Sequence, residues 1–126
     1  RLAALLHDAP EFVIGDLISP FKSAIGLDYK AFELKLLAAI HRRFGLPETL
    51  PGEITSAIKS ADRIAAYFEA TRLAGFGREE AGQFFGEPVA LPETLTGRLS
   101  RLDAMPTREA QAQFLARFDL LAGGGK

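Results

Sequence analysis

The chain has 126 residues, 48% hydrophobic and 25% charged, with a formal charge of −1 and no cysteine. That length suits one domain with one core. The balanced charge excludes the broad basic field of a nucleic-acid-polymer binder, and the missing thiols exclude disulfides and thiolate metal sites. No apolar run approaches the roughly 18–20 residues of a membrane span. No signal peptide is visible either, so the expected location is the cytoplasm.

Leu2, Leu5, Leu6 and Ala9 follow helical spacing. Pro10 removes a donor and disfavours helical geometry at Ala9, so the first helix is expected to end near Asp8. Glu11 to Ile14 reads as a short helical turn and Gly15-Asp16 as a loop. Ser19-Pro20 opens a further helix that Gly26 stops. Asp28 then caps a long helix from Tyr29 to Phe44, with Phe32, Leu36, Leu37, Ile40 and Phe44 as its buried stripe. Gly45 ends it, with Pro47 beyond. Another long helix is expected from Gly52 to Ala74, inward at Ile54, Ile58, Ala61, Ala65 and Phe68, and stopped by Gly75. A shorter one covers Arg78 to Phe85. Pro92 and Thr107 open two amphipathic helices, carrying Leu95, Leu99 and Leu102, then Phe114, Leu115, Phe118 and Leu121. No stretch alternates in the manner of a strand, so the expected class is all-α, a bundle of about six to seven helices in one domain over 1–122. Residues 123–126, Gly-Gly-Gly-Lys, read as a frayed tail. The opening Arg1-Leu2-Ala3-Ala4-Leu5-Leu6 is already in helical register with neither Met nor a capping residue. The expectation is therefore that the sequence continues upstream.

The chemistry concentrates in His7-Asp8-Ala9-Pro10-Glu11 and Gly15-Asp16, an imidazole and three carboxyl groups within ten residues. Asp62 forms a second acidic position, among the small residues Ala61, Ala65 and Ala66. Ionised carboxylates are costly to desolvate without a cation or hydrogen-bond donors, so acids on apolar helices point to a divalent metal. His7 and Asp8 would point about 100° apart on a regular helix, and Pro10 supplies a reason for the helix to end there. A solvated helix end with Asp8 and Glu11 near the positive terminus of the next turn also accounts for the dyad. A salt bridge to Arg63, Lys59 or Arg72 equally accounts for Asp62. His41, beside Arg42 and Arg43, is explained by the dipole at its helix C-terminus. Two carboxylates and one imidazole without sulfur suit Mn, Co, Fe, Ni, Zn or Mg with open water positions.

The dyad followed far downstream by Asp62 resembles the HD-domain metal-dependent phosphohydrolase superfamily. The string HDAPEFVIGDLISPFK, His7 to Lys22, is similar to the 5′-deoxynucleotidase-like branch, and so is KSADRIAAYFEATRLAGFG, Lys59 to Gly77. These segments cover under a third of the chain. The resemblance implies an all-α HD-domain bundle and one divalent metal ion held by His7, Asp8 and Asp62. It implies Glu11 and Asp16 as catalytic or substrate-facing acids. The family's first metal-binding His and its active-site Arg lie on a helix upstream of the dyad. No counterpart stands in this sequence, which is expected to lack that N-terminal helix.

On this footing the expected function is hydrolysis of a nucleoside 5′-monophosphate by a metal-activated water. Glu11 would transfer the proton and Asp16 would orient the sugar or a phosphate-binding Arg. Lys22 would contact phosphate, unless it is a solvated lysine. The expected partner is a small phosphorylated substrate, with no nucleic-acid polymer and no membrane, and the resemblance suggests a homodimer. The alternatives are a non-catalytic HD domain that binds a nucleotide or metal for regulation, and a plain helical interaction module whose acids are surface capping groups.

Overall fold

The computed structural model describes residues 1–17 and 19–123. Among them there are eight helices and no strand: α1 Leu2–Leu5, α2 Glu11–Ile14, α3 Ser19–Ile25, α4 Leu27–Arg43, α5 Gly52–Arg72, α6 Arg78–Phe85, α7 Glu93–Leu99 and α8 Thr107–Gly123. The all-α class follows. No helix of the described residues is long and apolar enough to cross a membrane. Of the tail expected at 123–126, Gly123 instead completes α8, and residues 124–126 lie outside the described residues.

The helices belong to two compact units. The first comprises Arg1–Pro51 together with the chain from Gln113 onward, and the second Gly52–Ala112.

In the first unit, α1 is a single turn that stops at Leu5, earlier than Pro10 alone would require. From Leu6 the backbone runs in successive tight turns, with Ala9 N–H donating to the Leu6 carbonyl and Glu11 N–H to the Asp8 carbonyl, each at 3.0 Å. Pro10, buried, brings the chain out of these turns into α2. Ala3 and Leu6 are buried beside it in sequence, so the apolar spacing read from Leu2 to Ala9 serves this unit's interior.

α3 packs against α4 across Gly26, whose φ of +93° is open to glycine and strained for other residues. α4 starts at Leu27, so Asp28 lies in its first turn and favours the helix through the dipole instead of capping it. Its half-buried face is Tyr29, Glu33, Leu36, Leu37 and Ile40, while Phe32 is 53% exposed. The expected stripe therefore began on the wrong residue. Glu33 takes the inward position because it meets Lys22 of α3, a pairing that hydrophobic periodicity does not register. Beyond α4, Gly45 adopts φ +72° and Leu46 N–H donates to the His41 carbonyl at 2.8 Å. His41 is buried at 2% exposure, and its Nδ1–H donates to the Pro47 carbonyl at 3.0 Å. This histidine fastens the loop behind its helix. Phe44 meets Phe118 of α8 edge-on, with centroids 5.1 Å apart.

The second unit is organised differently. Tyr67, Phe68, Ala70 and Ala81 are buried together, with Ile64, Phe76, Phe85, Leu91 and Leu99 packed around them. α5 supplies three of these from its C-terminal half, whereas Ala61 and Ile54 are exposed, against expectation. α6 packs on α5 through Ala81, which has no exposed surface. α5 ends at Arg72, two residues early, because Phe76 N–H turns back to the Ala70 carbonyl at 3.0 Å. Arg72 Nε–H donates to the Leu102 carbonyl at 3.3 Å and ties the segment after α7 to this helix.

Candidate functional site

Five of the six residues singled out in the sequence, His7, Asp8, Glu11, Asp16 and Lys22, lie in the first unit. Asp62 lies in the second, on the exposed part of α5.

The early end of α1 decides the state of His7. Its Nδ1 sits 2.7 Å from the Ala4 carbonyl oxygen, one of the helix's last carbonyls, which need partners from outside the helix. A carbonyl only accepts, so Nδ1 carries a proton and donates it. Nε2 then stands 3.1 Å from Asp8 Oδ2. With a proton on Nε2 the two form an imidazolium–carboxylate pair. Without one, two lone-pair donors face the same space at a separation that fits neighbouring ligands of one cation with bonds of about 2.0–2.2 Å. Metal-binding histidines commonly donate their second ring N–H to a carbonyl or carboxylate in this way. Asp8 is exposed and His7 half-buried.

Glu11 is half-buried. Desolvation, then the charges of Asp8 and Asp16, push its carboxyl above the usual range, with Glu33 adding to them and Lys22 opposing. Lys22 Nζ lies 3.4 Å from Glu33 Oε1 and 4.0 Å from Glu11 Oε1. Burial acts against the Lys22 charge, yet Glu33, through its charge and hydrogen bond, and then Glu11 and Tyr29 hold the ammonium above its ordinary value. The Tyr29 hydroxyl is buried with no hydrogen-bond partner among the described residues.

Glu33 and Tyr29 were not anticipated from the sequence. The available signal was their spacing: positions 29, 33, 36 and 40 share one helical face, and a Glu on a face otherwise apolar calls for a cation. Lys22 is therefore not simply solvated. It sits between two carboxylates, and the acid nearer the dyad is the one whose pKa is raised, by desolvation and then by Asp8 and Asp16.

No family model matches the sequence. An uncharacterized protein of Rhodobacter capsulatus is 50% identical over 121 residues, which is 96% of this chain and 60% of that protein. The chain thus spans about three fifths of the length of the curated relative it matches.

Proposed function

We propose that this chain belongs to a metal-dependent phosphomonoester hydrolase of the HD-domain type, acting on nucleoside 5′-monophosphates. The observation that carries the reading is the His7–Asp8 pair, with Nδ1 committed to Ala4 and Nε2 turned to the Asp8 carboxylate. The likeness of His7 to Lys22 and of Lys59 to Gly77 to the 5′-deoxynucleotidase-like branch supports it. In this proposal His7, Asp8 and Asp62 hold one divalent ion. Bound there, the ion would supply Lewis acidity toward the phosphoryl group and lower the pKa of water.

The chain's own residues account for the rest. Nδ1 donation to Ala4 fixes the His7 ring so that Nε2 stays directed at the site. The raised Glu11 carboxyl holds a proton nearer neutrality than an ordinary glutamate, as proton transfer to a leaving oxygen requires. Lys22, braced by Glu33, keeps a positive charge beside Glu11 and would meet a phosphate oxygen. Asp16 adds negative charge that raises Glu11 and offers an acceptor to a sugar hydroxyl.

The test is phosphate release from a panel of nucleoside 5′-monophosphates, assayed with Mn, Co or Mg and again with chelator. Metal-dependent release is expected. Metal or nucleotide binding without release would move the reading to a regulatory HD domain, and binding of neither would end both readings.

A further inference from the structure

The second unit contains a cavity of about 480 Å³ between the C-terminal half of α5, the segment after α6, and α7. It uses none of His7, Asp8, Glu11, Asp16, Lys22 or Asp62, and it falls within the ~300–1,000 Å³ range of small-molecule sites. Its wall carries two arginines, Arg72 and Arg78, and one carboxylate, Glu87. Arg72 is exposed, and its Nε–H bond to the Leu102 carbonyl at 3.3 Å restrains the guanidinium. Neither arginine forms an ion pair among the described residues. A guanidinium presents a planar fork that matches an oxyanion.

The floor is aromatic. Tyr67 and Phe68 are buried at 6% and 8% exposure and meet edge-on at 5.4 Å, and Phe76 adds a third ring. No hydrogen bond among the described residues uses the Tyr67 hydroxyl, although the ring is more than nine-tenths buried and lines the cavity. Thr71 is different, since its hydroxyl turns back to the Tyr67 and Phe68 carbonyls. The cavity therefore combines two guanidinium groups, the hydroxyl of a buried tyrosine ring, an apolar ring surface and one acceptor.

We propose that this cavity binds a small molecule with an oxyanion head, phosphate or carboxylate, on an aromatic or heterocyclic body. The head meets Arg72 and Arg78, the ring lies on the aromatic floor, and Glu87 accepts from a hydroxyl or amino group. This assignment stands apart from the hydrolase reading.

The test is calorimetric titration of the 126-residue chain carrying His7→Ala and Asp62→Ala, in chelator, so that the proposed metal site takes no part. The probes are adenosine 5′-monophosphate, adenosine and 4-hydroxybenzoate. Saturable binding of the monophosphate or the benzoate is expected, the stronger of the two naming the head group, and adenosine should bind at least about tenfold more weakly than the monophosphate. Arg78→Gln should weaken the bound acid by about tenfold or more, and the near-isosteric Tyr67→Phe by a smaller factor. Arg72→Gln loosens the Leu102 tie and is read only if its melting temperature is retained. Binding of neither acid, or equal binding in Arg78→Gln and Tyr67→Phe, overturns the proposal.

Discussion

The two units spend burial on different things. In the first, Glu11, Lys22 and Glu33 are half-buried and hold one another by charge, and the Tyr29 hydroxyl is buried with no hydrogen-bond partner among the described residues. In the second, burial goes to rings and methyl groups around Ala81, and the charged residues of α5 and α6 remain at the surface. Half-buried charge contributes little to stability and often costs it, whereas apolar burial contributes about 25 cal/mol per Å². Substitutions should therefore separate the two sets of residues: changes at Glu11, Lys22 and Glu33 should move activity more than stability, and changes in the apolar core around Ala81 the reverse, with Asp62, the proposed metal ligand of the second unit, outside that core.

The largest expected effect is on turnover. Glu11→Ala should lower phosphate release about 10²–10⁴-fold if Glu11 is the general acid or base, with bound metal retained on elemental analysis. Equal loss of metal would make Glu11 a ligand or a structural residue. In the second unit, Phe68→Ala should cost about 3–5 kcal/mol. Ala81→Leu should cost about 1–3 kcal/mol through overpacking. Both are read from denaturant midpoints. A loss of similar size from Glu11→Ala would erase the contrast between the units.

Lys22→Met sharpens the comparison within the first unit. Lys22 lowers the Glu11 pKa, so removing it should move the Glu11 inflection of the pH–rate profile upward. A downward move would show that another group sets that inflection. The raised Glu11 pKa also has a stability consequence. The folded state holds this proton at a higher pH than the unfolded chain does, so stability falls as pH rises from about 4.5 through the raised value. Glu11→Gln removes that loss. In chelator, thermal melts should show the variant at least as stable as the parent at neutral pH, with the difference shrinking below the ordinary glutamate value. The smallest effect belongs to Tyr29→Phe. It deletes a buried hydroxyl with no hydrogen-bond partner among the described residues and should be neutral or stabilising by up to about 1 kcal/mol.

The helical class and most element boundaries were legible because their punctuation is local. Gly26 and Gly45 adopt the positive φ that a helix stop needs, and Pro92 directly precedes α7. Glu33 was not legible, because its inward position depends on Lys22 of a neighbouring helix. The chemistry of the dyad was readable from residue types, but not the state of His7. That depends on α1 ending at Leu5 and leaving the Ala4 carbonyl to the ring. The cavity of the second unit was invisible for a similar reason. Its wall is gathered from α5, the segment around Phe76, the loop after α6, and α7, and no single window of sequence contains it.

The most direct test of the metal-dependent reading is a Mn²⁺ titration followed by electron paramagnetic resonance, on the parent chain and on His7→Ala, Asp62→Asn and Glu11→Gln. One tightly bound ion is expected in the parent and in Glu11→Gln, with binding weakened at least about tenfold in His7→Ala and Asp62→Asn, as loss of one of few ligands requires. Equal Mn²⁺ affinity in the parent and Asp62→Asn, or no bound ion in the parent, would contradict a centre built from His7, Asp8 and Asp62.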